Sequence, residues 1–420
     1  MMKVRFLPRT QKHINILTFK HINIPIITIS VINYNDKKFI FEAIESAVNQ
    51  SYPNLEIIIT DNNSTDGTRE EIEKRVLGWE EKRKNIAKNY RLKPELQNLS
   101  GVHSLECNNI KYVKNNENAG FGRPHNEAMR IMKGDFILLL NSDAILTEDY
   151  IENALKLFNN PKVGAVQGKL LRYDFDKNEL CKDKENSKLN IIDTTGLMMF
   201  KNRRIVCIGQ GQADEGQFEK EAEIFGVDGA VPIYRKEALE DVKLEKLDLT
   251  HPQPPLKRGL FNSPLERGEG CVYEYFDENF FLYKEDVDLA WRLRLAGWKA
   301  VYTPQAVAYH GRGSGDSMAK SYLNMIRERR KINNRAKYLS FKHQRLMQIK
   351  NDFPSLLFTK HLPQFMIKEI GAWVYMAIFE RFTFGILKDL YHDVPLFLKK
   401  RKMVMRKKRV GAKEMEKWFE

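Results

Sequence analysis

Residues 26–32, IITISVI, form a run of β-branched residues interrupted only by Ser30. A run of this kind marks a strand buried on both faces. Asn33, Tyr34 and Asn35 end it, and residues 37–50 then carry Phe41, Ile44, Ala47 and Val48 at helical spacing. Pro53 stops that helix, and residues 55–59 make a second apolar strand. It runs into a polar, acidic turn over residues 61–68, DNNSTDGT. A third strand, over residues 136–140, is introduced by Lys133-Gly134-Asp135 and followed by Asn141, Ser142 and Asp143. Strand, helix and strand ending in polar turns predict a parallel sheet with a ligand at the carboxyl ends of its strands. Taken singly, each polar end also fits a plain turn or a helix cap.

Residues 283–310 hold the densest chemistry. Glu285 and Asp286 open an amphipathic helix that continues through Asp288, Trp291, Arg292 and Arg294. The unpaired N–H groups of a helix start favour negative charge, so these acids fit capping as well as catalysis.

Five segments together resemble the inverting glycosyltransferases of family 2, which have the GT-A fold, and most of all their rhamnosyltransferase-like branch. They are VINYN at 31–35, ITDNNSTDGT at 59–68, NENAGFGRPHNEAM at 116–129, LLLNSDA at 138–144 and the stretch 280–310. The resemblance implies an α/β fold, a Rossmann-like mixed sheet flanked by helices, over roughly residues 24–315. It implies that Asp61 hydrogen-bonds the nucleotide base while Asn33, Tyr34, Asn35 and Asn63 line its pocket. Gly120 and Gly122 would let the backbone approach the donor, Asn118 and Asn126 would fix that loop, Arg123 would meet a phosphate or else be solvated, and Ser142 would belong to the donor-nucleotide site. Asp143 matches the metal-binding aspartate of the family's DxD-type motif, here NSD because Asn141 stands first, with His310 beside the metal or diphosphate. Asp286 matches the catalytic base, with Glu285 next to it. The cofactor implied is Mg²⁺ or Mn²⁺.

That assignment is chemically coherent. A nucleoside diphosphate leaves readily only if its developing charge is stabilised, which a divalent cation does. An acceptor hydroxyl must lose its proton as it attacks, and one carboxylate on the opposite side can take it. A single displacement inverts the anomeric centre. Two rival readings remain. One is a nucleotidyltransferase, which would want a glycine- and base-rich loop where NYN stands. The other is an inactive nucleotide-binding scaffold.

Charge divides the chain. The net charge is +14, and residues 321–420 carry the whole excess. The catalytic part is therefore not a nucleic-acid binder by composition. Cys107, Cys181, Cys207 and Cys271 show no CxxC pairing and fit reduced thiols. Residues 1–23 read as a flexible extension without a signal peptide's apolar core. Residues 316–350 read as a basic helix and residues 356–398 as apolar and aromatic, while residues 399–409 hold eight basic residues. The longest uncharged run there, residues 370–379, is half the about 20 residues a spanning helix needs. The expectation is a helical region, residues 316–420, attached peripherally to an anionic membrane surface on its cytoplasmic face. A helical subdomain packed on the catalytic domain is the alternative. Residues 246–272, rich in Pro and Gly, predict an irregular loop inserted ahead of the catalytic helix, with a substrate lid as the other reading. The partners expected are a nucleotide-sugar donor and a glycan or lipid-linked acceptor.

Overall fold

The computed structural model describes residues 24–91, 109–183, 186–247, 273–311, 326, 329–330 and 332–420. The expected flexible extension, residues 1–23, and nearly all of the expected inserted loop lie outside the described residues.

The first strand, β1 (Ile27–Asn33), is parallel to β2 (Leu55–Asp61) and to β4 (Phe136–Leu140), and β2 is parallel to β3 (Ile110–Lys114). β2 and β4 are buried at every residue, as strands covered on both faces must be. The connecting helix α1 (Ile40–Val48) buries Ile40, Ala43, Ile44, Ala47 and Val48, the one-sided stripe that pins it to the sheet. The long helix α2 (Thr68–Arg91) sends the buried Arg83 back to the end of α1. There its guanidinium donates to the carbonyls of Val48, Gln50 and Tyr52 at 3.1, 2.6 and 2.7 Å.

The sheet becomes mixed beyond β4. A short β5 (Ala144–Leu146) and β6 (Val163–Asp174) follow, then β7 (Ile192–Thr194), β8 (Ala222–Ile224) and β9 (Pro232–Arg235). β9 lies antiparallel between β4 and β6. The last strand, β10 (Lys299–His310), is parallel to β6 and antiparallel to β5 and β8. Helices α3 (Gly122–Ile131), α4 (Tyr150–Leu155), α5 (Lys236–Val242) and α6 (Glu285–Leu295) complete this part. The α/β mixed sheet implied by the sequence resemblance is therefore present.

Three longer helices follow: α7 (Asn334–Asn351), α8 (Leu362–Phe379) and α9 (Ile386–Lys407). They do not form a separate domain. Leu346 and Met347 of α7 and Phe397 and Val404 of α9 share one buried cluster with Phe280 and with Trp291 of α6. The basic run at 399–409 is accordingly not a free polybasic patch. Lys400 is buried and binds Glu274 at 2.6 Å, Asn279 at 2.6 Å and Asp277. Arg401 donates to the Ile349 carbonyl at 2.9 Å, and Arg409 pairs with Asp241 at 2.6 Å. An alternation hidden in a run of like charges decides this. Residues one helical turn apart face the core, and a lysine there survives only because acids from the catalytic domain meet it.

Leu244–Glu245 and Tyr273–Glu274 pair as a two-stranded antiparallel ribbon. The chain therefore leaves towards residue 248 and returns at residue 273 through adjacent backbones.

Candidate active site

Asn33 and Asp61 are register partners at the ends of β1 and β2. The Asn33 amide donates to Asp61 Oδ2 and to Ser64 Oγ, both at 2.8 Å. Asp61 Oδ1 accepts the Ser64 N–H at 3.0 Å and Arg69 Nε at 2.9 Å. Burial alone would raise the Asp61 pKa, but the bonds from Ser64, Asn33 and Arg69 outweigh it and hold the carboxyl below its ordinary value. With no exposed surface and both oxygens engaged, Asp61 braces the loop. Asn33, equally buried, joins the brace. Tyr34, 43% exposed, Asn35 and part of Asn63 form the open rim. Asn35 and Asn63 hold left-handed backbones at φ 57° and 69°, which asparagine tolerates. Asn35 Oδ1 accepts the Thr65 N–H at 2.7 Å, tying the two rims together.

The glycine-rich segment serves the interior more than the donor. Gly120 sits at φ +78°, and a Cβ there would come within 2.2 Å of the Phe281 carbonyl oxygen. A Cβ on Gly122 would meet Phe276 Cβ at 3.0 Å. Asn118 Oδ1 accepts the Gly120 N–H at 3.0 Å and fixes the turn, as expected. Asn126 is buried. It donates to the Phe276 carbonyl and accepts the Phe276 N–H, both at 2.8 Å. Arg123 pairs with Glu117 at 2.9 Å and Glu127 at 3.4 Å. This segment clamps α3 to the stretch that leads into α6.

Ser142 and Asp143 follow β4. Ser142 Oγ donates to Asp36 Oδ2 at 2.6 Å. Burial raises the Asp36 pKa, and Asp143 and Asp66 add to it against the Ser142 bond. Asp143 stands just before β5, whose Ala144 pairs with His310 of β10. That register puts His310 Nε2 3.3 Å from Asp143 Oδ1. On the other side, His310 Nδ1 lies 2.8 Å from Oδ2 of the wholly buried Asp193 on β7. Burial opposes charge on the imidazole, yet Asp143 and Asp193 prevail and push its pKa up to about 10. A ring held at Nδ1 by a carboxylate is oriented as metal-binding histidines are, and a cation at Asp143 would take the place of the Nε2 proton. Asp143 and His310 therefore fit a divalent cation. Among the described residues no cluster of three metal-ligating side chains occurs, so such an ion needs ligand oxygens and water to complete its shell.

Glu285 and Asp286 begin α6 after an unusual turn. Tyr283 and Lys284 both hold left-handed backbones, at φ 71° and 80°, which is costly for non-glycine residues and clusters at functional sites. His343 of α7 supports the turn, its Nδ1 lying 2.9 Å from the Leu282 carbonyl oxygen and 3.1 Å from that of Tyr283. Glu285 is buried and its Oε2 lacks a hydrogen-bond partner. Burial, then the charge of Asp286, pushes its pKa up to about 8. Asp286 is only partly buried, so it is the member of the pair open to a reactant. Burial, then the charge of Asp228, pushes its pKa up to about 6. A carboxylate at that value is ionised at neutral pH and is a stronger base than a free one.

The two halves of the site meet through the loop before β9. A Cβ on Gly229 would lie 3.3 Å from Asp286 Cβ, and the neighbouring Ala230 carbonyl accepts the Asn141 N–H at 3.0 Å. Asp286 and Asp143 are thus linked through the Gly229–Ala230 backbone. Sequence reasoning missed Asp36, Asp193 and Asp228. Asp36 directly follows the NYN rim, and Asp228 precedes a glycine and a strand, so both carried a local signal. Asp193 lies 117 residues from His310, and only the β6–β7 and β6–β10 pairings bring it near.

Two family models match the chain: "Glycosyl transferase family 2" over residues 28–91 and "Glycosyltransferase like family 2" over residues 102–331. The curated relatives include glycosyltransferase GlyG of Streptococcus pneumoniae, 23% identical over 36% of this chain and 40% of its own. Another is the Escherichia coli UDP-Glc:alpha-D-GlcNAc-diphosphoundecaprenol beta-1,3-glucosyltransferase WfaP, 29% identical over 33% of this chain and 43% of its own. The chain thus spans less than half the length of these relatives. Among solved structures, the Pyrobaculum calidifontis mannosyltransferase PcManGT with GDP-Man and Mn²⁺ aligns at a TM-score of 0.43 and 16% identity, covering 91% of this chain and 86% of its own. Staphylococcus aureus TarS 1-349 with UDP-GlcNAc aligns at 0.43 and 14% identity, covering 91% and 90%. The second family model alone matches more than half of the chain, and the chain belongs to glycosyltransferase family 2.

Proposed function

We propose that this protein transfers a sugar, with inversion, from a nucleoside-diphosphate donor to a hydroxyl of a cell-surface glycan or a lipid-linked precursor. The observation that carries the reading is the linkage of the two acids: Gly229 packs against Asp286, the next residue, Ala230, accepts the Asn141 N–H, and Asp143 two residues on meets His310 at 3.3 Å. Tyr34, Asn35 and Asn63 offer the rim for the nucleoside. The diphosphate lies at Asp143 and His310, where a bound Mg²⁺ or Mn²⁺ would neutralise the charge that develops as the bond to the sugar breaks. Asp193 holds the His310 ring in one orientation. Asp286 accepts the acceptor hydroxyl proton as its oxygen attacks the anomeric carbon. Glu285, kept protonated at neutral pH by burial, adds no competing charge.

The acceptor class rests on the relatives. WfaP by name acts on a diphosphoundecaprenol-linked sugar, and TarS, 28% identical over 30% of this chain and 18% of its own, by name glycosylates poly(ribitol-phosphate). Rhamnose is one candidate sugar, on the sequence resemblance alone. The test is donor turnover over UDP-, GDP- and dTDP-sugars with Mg²⁺ or Mn²⁺, scored by release of nucleoside diphosphate. Turnover of one donor that needs the cation and Asp286 supports the reading. Tight nucleotide binding with no turnover of any donor or acceptor would overturn it in favour of a scaffold.

A further inference from the structure

We propose that the bent pair α8–α9 is a bilayer-seated element that lies in the plane of an anionic lipid surface. The two helices join through a short 3₁₀ turn, Arg381–Gly385, and are bent by 116°. Ile367, Ile370, Val374 and Ile378 follow one stripe of α8, and Phe382 and Leu387 continue it round the bend. These six side chains are 43–67% exposed. A contiguous apolar surface of this extent is unusual on a protein that meets only water.

Charge on the same element identifies the occupant. Only four acids occur between residues 354 and 408, namely Glu369, Glu380, Asp389 and Asp393. Glu369 and Glu380 are buried, and the partly exposed Asp389 and Asp393 are both bonded to α7. Glu369 binds Arg345 at 2.5 Å, Glu380 binds Arg329 at 2.6 Å, Asp389 accepts from Tyr338 at 2.8 Å, and Asp393 binds Lys342 at 2.7 Å. Arg381, Lys388, Lys399 and Lys402 stay exposed. The outward face is therefore apolar and basic, the pairing that an anionic bilayer attracts. A second copy of the chain would bring the same cationic fringe against itself.

Among the described residues no single helix is long and apolar enough to cross a membrane; the bent pair passes that test only when its two halves are taken together. The inward faces argue against crossing. They carry Glu369 and Glu380, ion-paired to the catalytic side of the molecule, and a hairpin pushed through the bilayer would have to break those pairs. Seated flat, the element keeps them. Helix α7 then links the lipid to the chemistry. Its Tyr338, Lys342 and Arg345 grip α8 and α9, and its His343 grips the turn before Asp286. The lysines at 399–402 are not one patch: Lys399 and Lys402 face out, whereas Lys400 is an internal strut.

The full-length protein is mixed with sedimentable vesicles of phosphatidylcholine alone or with 30% phosphatidylglycerol. The expected result is sedimentation with the anionic vesicles and about tenfold less with neutral ones. Ile370→Glu with Ile378→Glu should abolish binding, and Lys388→Glu with Lys399→Glu and Lys402→Glu should weaken it about tenfold or more. Both variants should keep the unmutated melting temperature and nucleotide affinity, which separates this proposal from the catalytic one. Equal partition of the unmutated protein onto both vesicle types, or onto neither, would overturn it. So would a concentration-dependent dimer that Ile378→Glu converts to a monomer, since a second copy would then cover the face.

Discussion

Lys350 of α7 places its ammonium 2.8 Å from Oδ1 of Asp288, one turn below the acids that open α6, and both side chains are wholly buried. The same ammonium meets Asp277, and Asp277 also meets Lys400 of α9. Asp288 further accepts from Arg292 at 2.9 Å and Asn351 at 2.7 Å. Burial opposes ionisation of Asp277, yet the two lysines overcome it and hold its carboxyl far below the ordinary range. The basic C-terminal helices thus complete the floor under the catalytic helix.

Lys350→Met should therefore destabilise the whole protein, by about 3–5 kcal/mol, because it leaves buried acids short of a cation. Denaturant unfolding measures this directly. A loss below about 1 kcal/mol would mean that the network relaxes without Lys350.

Asp286→Asn should leave nucleotide affinity unchanged and lower transfer by about 10²–10⁴-fold. In the unmutated enzyme kcat/KM should rise with pH through about 6 as Asp286 loses its proton, then level off. Asp228→Asn removes a neighbouring negative charge, so that limb should move to lower pH. An unmoved limb would detach Asp228 from the base.

Glu285 gives a matching stability effect. Its folded pKa of about 8 lies above the ordinary 4.5, so the folded state holds the proton more tightly than the unfolded one. Its contribution is fully present below about pH 4.5 and is lost as pH rises through about 8. Glu285→Gln should flatten the fall in melting temperature over that window. An identical fall in the variant would place the pH dependence elsewhere.

Asp143→Ala and His310→Ala should weaken cation-dependent binding of nucleoside diphosphate and spare the free nucleoside. Asp61→Ala should instead lower the melting temperature, since it removes the brace shared by Asn33, Ser64 and Arg69. Titrations with cation and with chelator, beside melting curves, separate the two classes. Equal losses on every ligand in the Asp143 variant would mark it as structural too.

Replacing residues 250–270 by a short Gly-Ser turn should change stability little. The flanking residues already pair as Leu244 with Glu274 and Glu245 with Tyr273, and closure entropy depends weakly on loop length. Lost activity in a variant that still melts cooperatively would favour the substrate-lid reading.

Much of the parallel half was legible because its signals are local. The runs at 26–32 and 136–140 could hardly be anything but buried strands, and the polar residues after them mark strand ends. The acids at 285 and 286 stood out for the same reason. What a motif residue does at its position was less legible. Asp61 and Asn126 carry the family's pattern, yet each spends its hydrogen bonds on the protein itself. A motif preserves a loop's shape as well as its contacts, and only the partners tell the two apart.

The sequence by itself determined the opening strand–helix–strand unit, the strand at 136–140, the helix that presents Asp286, and the excess of positive charge beyond residue 320. Tertiary structure decided where that charge goes. Helical periodicity sends Lys350 and Lys400 inward and Lys399 and Lys402 outward, but whether an inward lysine is tolerable depends on acids that lie more than 60 residues away in the chain. The same holds for Asp193, which meets His310 across 117 residues through strand pairing. Contacts at such separations follow from sheet register and helix packing, which no local window of residues contains.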